Sequence, residues 1–196
     1  MDRKKEKVCY IIAGPNGAGK TTFALKYLPK IVACNNFINA DEIAKGISPL
    51  DFERGLLQAS KIFLAEVDKK IKDSETFAFE TTLSGKSYLP KIKNWQKMGW
   101  KVILWYLYIP SAEFSALRVT QRVIQGGHNI PLADINRRFP RSIKNLFEYA
   151  EVCNEIRCFD NTNNQVVPIF EKHIGKNIAI FDEDRYAKLL QVKNNE

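Results

Sequence analysis

The sequence predicts one α/β domain over residues 1–196, with a doubly wound, mainly parallel sheet and a C-terminal β-hairpin. Short apolar runs alternate with helical patterns along the chain, which implies right-handed crossovers between parallel strands. The run Lys101–Ile109 is apolar on both faces, as expected for a strand in the middle of a parallel sheet that helices cover. Another apolar run, Val8–Ala13, leads directly into a glycine-rich segment and predicts a buried first strand.

The remaining elements follow from apolar spacing and turn residues. Helices are predicted at Lys20–Lys30 (ending near Pro29), from Asp41 to Gly46–Pro49, at Phe52–Lys72 and Ser87–Met98, from an N-cap at Ser111 to about Gln125, and at Leu132–Ala150. Further strands are predicted within Ile31–Asn39 and at Thr76–Thr81 and Glu155–Asp160. The C-terminal hairpin, Val166–Phe181, is predicted to turn near Gly175–Asn177. A short helix is predicted from Asp182, so that the hairpin and this helix together occupy about residues 165–193.

Composition narrows the class of protein. No apolar run is long enough to span a bilayer, so we expect no membrane partner. The charged N-terminus Met1–Lys7 lacks the apolar core of a signal peptide, which favours a cytoplasmic protein. Four cysteines form no metal-type pair, and we interpret them as reduced thiols. The net charge of +8 attracts polyanions such as ATP or other phosphorylated molecules.

A phosphate-binding loop is the most specific motif in the chain. It consists of Gly14, Pro15, Asn16, Gly17, Ala18, Gly19, Lys20 and Thr21, followed by Thr22, and it matches G-x-x-x-x-G-K-[ST] between a strand and a helix. Its backbone N–H groups and the helix N-terminus suit phosphate oxygens. Lys20 is expected to bridge the β- and γ-phosphates, and the Thr21 hydroxyl to bind Mg²⁺. ATP and Mg²⁺ are therefore the expected cofactors, and the sheet is of the P-loop NTPase, nucleotide-kinase-like type.

Two acidic segments follow predicted strands, where parallel strand ends face a ligand crevice. Asp41 can accept a proton from an attacking hydroxyl, or it can cap the next helix, and both roles can hold together. Glu80 and Thr82 suit hydrogen bonding to a polyhydroxylated acceptor, and Glu80 can equally hold a Mg²⁺-bound water.

Arginines surround a double glycine and suggest a lid over residues 118–141. Arg118 and Arg122 share a face of one helix, and Arg137, Arg138 and Arg141 lie on the next. Closing such a lid would exclude water and bring guanidinium groups to the transferring phosphate, although a solvated basic face is the alternative. His128 is interpreted as a loop residue or phosphate contact. No strand is predicted to end in the Asp of a standard second NTPase motif, since Lys101–Ile109 runs directly into Pro110, and this absence mildly favours a kinase.

Four segments together resemble the zeta toxin family of P-loop kinases, in its compact bacterial branch of predicted ATPases. They are Ala13–Thr22 around the loop, Asn39–Glu42, Phe79–Thr82 and Gly126–Pro131. The resemblance covers roughly Val8–Asp160 and implies transfer of phosphate to the 3′-hydroxyl of the sugar in UDP-N-acetylglucosamine. It also implies that a separate antitoxin protein can block the ATP site.

The resemblance assigns roles by position. It makes Asp41 the catalytic base, Lys20 and Thr21 the ATP and Mg²⁺ residues, Glu80 and Thr82 substrate contacts, and Arg118 or Arg122 the γ-phosphate contact. His128 stands where the family toxins carry a second phosphate-binding arginine, so Arg137, Arg138 or Arg141 would supply that charge.

Two functions follow as expectations. The first is an ATP- and Mg²⁺-dependent kinase acting on a hydroxyl of a small acceptor, probed first with UDP-N-acetylglucosamine, with Lys20, Asp41, Arg118 and Arg122 as catalytic residues. The second is an ATP-hydrolysing switch that acts through a protein or nucleic-acid partner. We do not expect nucleic acid to be the partner of the kinase.

Overall fold

One mixed sheet runs through the protein, and the computed structural model describes residues 6–163 and 165–194. Within these ranges the strands are β1 (Val8–Ala13), β2 (Phe37–Ile38), β3 (Phe77–Thr81), β4 (Lys101–Tyr108), β5 (Glu155–Asp160), β6 (Val167–His173) and β7 (Ala179–Ile180). Their order is β2-β3-β1-β4-β5-β6-β7. The first five strands of this order pair in parallel, and β6 and β7 add to the sheet antiparallel.

Helices connect the parallel strands. They are α1 (Lys20–Val32), α2 (Ala40–Ile47), α3 (Phe52–Asp73), α4 (Tyr88–Lys97), α5 (Ala112–Ile124), α6 (Leu132–Ala150) and α7 (Glu183–Asn194). The predicted cap of α5 is confirmed, because the Ser111 hydroxyl accepts a hydrogen bond from the backbone N–H of Phe114 at 3.1 Å. No helix in the described part of the chain is both long and apolar enough to cross a bilayer.

The core lies around the two central strands. Every residue of β1 is buried, and so is every residue of β4 after Lys101. This explains the run that is apolar on both faces, since helices cover both sides of a parallel sheet. All four cysteines are free and buried. The prediction of a mainly parallel α/β sheet with a C-terminal hairpin is confirmed.

The structure corrects two local predictions. Helix α1 continues past Pro29 to Val32, since a proline near the last turn removes a single helical hydrogen bond. The helical spacing of apolar residues in Phe52–Lys72 predicted that Leu56 would face the core, but it is 37% exposed. The buried stripe of α3 runs instead through Gly55 and every fourth residue after it. Residues Met1–Lys5 of the charged N-terminus lie outside the described residues.

The topology gathers the predicted site at one edge of the sheet. The phosphate loop leaves the carboxyl end of β1, Asn39 follows β2, and Glu80 lies at the end of β3. Because β3 pairs with both β1 and β2, these three strand ends are neighbours. The carboxyl ends of parallel strands form the usual ligand crevice of such sheets.

Candidate functional site

The phosphate loop needs its glycines for two physical reasons. Gly14, Gly17 and Gly19 all have positive φ angles, of 143°, 72° and 81°. A Cβ atom on Gly14 would also lie 2.4 Å from the carbonyl oxygen of Leu107 in β4. Side chains rarely adopt such backbone angles, so the loop can hold this curve only with glycine. The result is a compact concave loop immediately before helix α1.

Lys20 opens helix α1 and belongs to the loop. Its side chain is buried, and its Nζ donates a hydrogen bond to the carbonyl oxygen of Pro15 at 3.1 Å. Burial lowers the pKa of Lys20, while the nearby carboxylates of Glu80 and Asp41 raise it. A buried ammonium group held over a glycine-rich loop at a helix N-terminus suits a phosphate anion. These residues fit the triphosphate that the sequence predicts.

Thr21 joins the phosphate loop to the ends of two neighbouring strands. Its hydroxyl donates to Oε2 of Glu80 at 2.6 Å, and it accepts from Nδ2 of Asn39 at 3.2 Å. A hydroxyl and a carboxylate supply the oxygen ligands that Mg²⁺ prefers, directly or through water. The donor set therefore fits a magnesium ion beside the loop. The contact brings Glu80 next to Thr21, the residue that is expected to bind Mg²⁺.

Acidic side chains lie at two strand ends where the sequence predicted them. Glu80 is next to the last residue of β3, and its carboxylate accepts the hydrogen bond from Thr21. Strand β5 ends in Asp160, which accepts hydrogen bonds from Thr162 and Arg185. The sequence did not predict the bond between Glu80 and Thr21, because it joins segments that are 59 residues apart.

Asn39, and not Asp41, caps helix α2. The Asn39 side-chain oxygen accepts from the backbone N–H groups of Asp41 and Glu42 at 2.8 and 3.3 Å. The capping alternative for Asp41 is therefore wrong. Asp41 lies in the first turn of α2, and its side chain is 39% exposed. The cap leaves this carboxylate available for other contacts.

Asp41, His128 and Arg122 meet in one cluster. The Oδ2 atom of Asp41 is 3.4 Å from Nε2 of His128. Arg122 Nη2 is 3.2 Å from the same ring nitrogen and donates to the His128 carbonyl oxygen at 2.9 Å. The His128 ring stacks on Phe52, with ring centroids 4.0 Å apart and planes 12° apart. These contacts bring the loop between α5 and α6 against the starts of α2 and α3.

The electrostatic environment of His128 favours a neutral ring. Burial lowers the pKa of His128, and the Arg122 and Lys45 cations lower it further. The Asp41 carboxylate acts in the opposite direction. A neutral ring has one nitrogen that accepts, which suits the contact from Arg122.

Two cavities adjoin Thr21. The smaller has a volume of about 320 Å³ and is lined by Thr21, Asp41, Glu42, Lys45, Arg122, Gln125, Gly126, Gly127 and His128. The larger, of about 700 Å³, lies along the edge of β2 between α1 and α3 and is lined in part by Leu25, Phe37 and Ile43. Thr21 and Glu42 line both. There is thus room for a second molecule directly beside the phosphate loop.

Arg118 and Arg122 share α5 but reach different parts of the site. The Arg118 guanidinium donates to the carbonyl oxygens of Gly17 at 3.3 Å and Thr162 at 2.8 Å, and it lies 4.8 Å from the centre of the Phe114 ring. Arg122 instead faces the cavity that contains Asp41. Its Nε is buried and has no hydrogen-bond partner within the described residues. Of the two, Arg122 is placed near the Thr21 end of the site.

The arginines of α6 lie apart from this cluster. Asp134 accepts from Arg137 at 2.6 Å and from Arg138 at 2.9 Å. Arg141 is exposed on the same helix. None of the three lines the two cavities described above. In this conformation the charge that was expected beside His128 comes from Arg122.

Thr82 belongs to a loop that helix α6 fixes in place. The Thr82 hydroxyl is 2.9 Å from that of Ser84, and its carbonyl oxygen accepts from Ser142 at 2.6 Å. The next residue, Leu83, has a left-handed φ of 59°, and its carbonyl oxygen accepts from Asn145 at 2.8 Å. Thr82 is therefore held rigidly, although it lines neither cavity.

Sequence reasoning missed several residues of the site. Asn39 and Asn161 act through side-chain amides, and Phe52 acts through its ring. Asn39 carried a usable signal, because Asn is a favoured N-cap and it directly precedes the Ala-Asp-Glu segment. Asn161 and Phe52 carried none, since their partners lie far away in the sequence.

No protein-family model matches the chain. An uncharacterised protein of Haemophilus influenzae is 32% identical over 134 residues, which cover 66% of this chain and 94% of that protein.

Three solved structures share the fold. The AvrRxo1-ORF1:AvrRxo1-ORF2 complex with ATP matches with a TM-score of 0.71 at 17% identity, over 99% of this chain and 66% of that chain. The PezAT toxin–antitoxin system of Streptococcus pneumoniae gives 0.64 at 19% identity, over 97% and 85%. A gluconokinase from Sinorhizobium meliloti gives 0.50 at 14% identity, over 98% and 97%. The present chain thus spans about two thirds of the chain that it matches in the AvrRxo1 complex.

The sequence similarity shows the family of the chain, and the structural similarities show its fold. The identity to the Haemophilus influenzae protein extends over nearly all of that protein. The structural matches show that the chain shares its fold with a protein of the PezAT toxin–antitoxin system and with a gluconokinase. The chain therefore belongs to one family with the Haemophilus influenzae protein, and its fold is that of the zeta-toxin-like P-loop kinases.

Proposed function

We propose that this protein is an ATP- and Mg²⁺-dependent kinase that transfers the γ-phosphate of ATP to a hydroxyl of a small acceptor. One observation carries the proposal: the carboxylate of Asp41 shares a cavity with Thr21 of the phosphate loop. A nucleotide site alone would need only the loop. A carboxylate facing a cavity of about 320 Å³ beside it provides a base and a place for an acceptor.

The loop and Lys20 hold the triphosphate. The backbone N–H groups of the loop and the N-terminus of α1 bind phosphate oxygens, and the Lys20 ammonium neutralises charge on the γ-phosphate. Thr21 and Glu80 are the residues that would hold Mg²⁺, which supplies charge neutralisation at the phosphates when bound.

Asp41 performs the proton transfer. Its carboxylate accepts the proton of the acceptor hydroxyl as that oxygen bonds to the γ-phosphorus and the bond to the bridging oxygen breaks. Asn39 fixes the position of Asp41 by capping α2 and, through its amide, ties that helix to Thr21. His128 lies beside the same carboxylate, and we propose that its ring contacts the acceptor.

Arg122 stabilises the charge that develops on the transferred phosphoryl group. Its unpartnered Nε and its place in the Asp41 cavity support this role. Arg118 contacts the opposite side of the loop, through the carbonyl oxygen of Gly17, so we assign it to loop support and not to the γ-phosphate. We assign Glu80 to Mg²⁺ binding and not to the acceptor, because its carboxylate accepts a hydrogen bond from Thr21.

The proposed acceptor is a nucleotide sugar, and the proposed partner is an antitoxin-type protein. UDP-N-acetylglucosamine is the first acceptor to test, with Thr82 and the arginines Arg137, Arg138 and Arg141 as residues that would contact it when the segment 118–141 closes. A separate antitoxin-type protein is the proposed partner. Its support is that PezAT is a toxin–antitoxin system and that AvrRxo1-ORF1 was solved with AvrRxo1-ORF2.

Product analysis tests the proposal. The protein is incubated with ATP, Mg²⁺ and a panel of hydroxyl acceptors that includes UDP-N-acetylglucosamine, and new phosphorylated products are sought by mass spectrometry. A kinase gives a product 80 Da heavier than its acceptor, about the mass that one phosphoryl group adds. ADP release that no acceptor stimulates would instead favour an ATP-hydrolysing switch.

A further inference from the structure

The outer side of the phosphate loop is held by side chains from other parts of the chain. Three consecutive carbonyl oxygens each accept one side-chain hydrogen bond. Asn16 accepts from the Ser115 hydroxyl at 2.6 Å, Gly17 from Arg118 Nη1 at 3.3 Å, and Ala18 from Asn161 Nδ2 at 2.8 Å. Ser115 and Arg118 lie on α5, and Asn161 follows β5.

The same donors pack against the loop glycines. A Cβ atom on Gly17 would lie 3.0 Å from both the Ser115 carbonyl oxygen and the Arg118 Cβ. A Cβ atom on Gly19 would lie 2.7 Å from Nδ2 of Asn161. The glycines therefore allow the donors to approach as well as allowing the loop to curve.

We propose that Ser115, Arg118 and Asn161 form a carbonyl clamp that holds the phosphate loop ready to bind a nucleotide before the nucleotide arrives. The three are positioning residues, since they touch the loop backbone from outside. The inference rests on the proposed nucleotide site and adds to it a reason why the loop keeps the concave shape that binds phosphate.

The geometry of the peptide bond gives the clamp its effect. The N–H and C=O groups of a peptide unit point in opposite directions, so an outward carbonyl keeps the adjoining N–H directed inward. Successive inward N–H groups form the concave site that binds anions. Holding three carbonyls outward therefore removes part of the conformational cost that a free glycine-rich loop would incur on binding.

The clamp is itself well anchored. Ser115 is fully buried and Asn161 is 8% exposed, so neither donor has ready access to water as an alternative partner. Asp160 accepts from both the N–H and the hydroxyl of Thr162, which fixes the turn around Asn161. Arg185 of α7 contacts the same carboxylate. The C-terminal helix thus supports the phosphate loop although it lies far from it in sequence.

Two variants and one matched control test the clamp. Ser115→Ala removes one donor, and Asn161→Asp removes another at constant size. Thr120→Ala is the control, because the Thr120 hydroxyl lies on the same helix but donates to the Ala116 carbonyl oxygen of that helix. Isothermal titration with ATP should show that the dissociation constant rises about tenfold in each clamp variant and changes less than about twofold in the control.

Hydrogen exchange separates the clamp from the nucleotide proposal. In the protein without nucleotide, the backbone amides of residues 16–20 should exchange at least about tenfold faster in Asn161→Asp and Ser115→Ala than in the parent or Thr120→Ala. The amides of β1 and β4 report whether each variant is folded. Unchanged exchange in the loop of folded variants would overturn the clamp even if ATP binds. If the parent does not bind ATP but the loop exchange rises as expected, the nucleotide proposal fails and the clamp stands.

Discussion

The Thr21 hydroxyl donates a hydrogen bond of 2.6 Å to the carboxylate of Glu80, 59 residues away. This contact joins the last residue of the phosphate loop to the end of the adjacent strand. It supports the proposed metal role of Glu80 over the acceptor role, because Thr21 is the expected Mg²⁺ residue and Glu80 does not line the cavity with Asp41.

The metal role of Glu80 gives the first prediction. Glu80→Gln keeps the size of the side chain but removes its charge, so nucleotide affinity should fall about tenfold in the presence of Mg²⁺ and little in its absence. Titration of a fluorescent ATP analogue with and without Mg²⁺ measures both. Glu75→Gln is the control, because Glu75 pairs with Lys70 on the surface. An equal loss with and without the metal would contradict the role.

The phosphate loop gives a stability prediction. Gly14→Ala should lower the free energy of unfolding by at least about 2 kcal/mol, because its Cβ would overlap the Leu107 carbonyl oxygen and its φ is positive. Gly46→Ala is the matched control, since nothing lies within 4 Å of a Cβ there. Because position 46 lies in helix α2, Gly46→Ala should raise the free energy of unfolding by up to about 1 kcal/mol. Urea denaturation compares the two, and equal effects would refute the strain.

His128 gives a prediction about pH. Burial lowers its pKa in the folded protein, so the unfolded chain binds the proton more readily. Stability from the neutral ring is complete above the ordinary pKa of about 6.5 and is lost as the pH falls through that value towards the folded pKa. The variant His128→Gln should therefore lose less stability than the parent on going from about pH 7.5 to about pH 5.5. Parallel urea curves at these two values check the difference, and identical losses would show that His128 does not titrate as described.

Replacing Arg122 should mainly lower turnover, whereas replacing Arg118 on the same helix should mainly lower ATP affinity. Arg122→Lys keeps a positive charge but loses the planar fork, so turnover should fall at least about tenfold while ATP affinity changes little. Arg118→Lys should act mainly on ATP affinity, through the Gly17 carbonyl. Steady-state rates combined with ATP titration make the comparison. Equal effects of both replacements on turnover would contradict the assignment.

Much of the fold could be predicted because its signals are contiguous. The apolar runs of β1 and β4, the phosphate loop between a strand and a helix, and the Ser111 cap each depend on neighbouring residues. The phosphate-loop pattern predicts eight residues of the candidate site in one segment, residues 14–21. Such features can be predicted because they depend only on the identities of a few consecutive residues.

Contacts between distant segments escaped prediction. Capping was one of the two roles that the sequence left open for Asp41, and Asn39 fulfils it instead, because Asp and Asn are both favoured caps and only the backbone shows where the helix begins. The amide of Asn161 reaches the Ala18 carbonyl across 143 residues, and no spacing rule relates such positions. The separation of Arg118 from Arg122 likewise depends on where α5 lies against the loop.

The most direct test of phosphoryl transfer is a comparison of the parent with Asp41→Asn. Both are supplied with ATP labelled in the γ-phosphate, Mg²⁺ and UDP-N-acetylglucosamine or another acceptor from the panel, and labelled product and ATP affinity are measured. We expect the variant to bind ATP within about twofold of the parent and to form product at least about 100-fold more slowly, because the general base is absent. Product formation at the parent rate by Asp41→Asn would contradict the account.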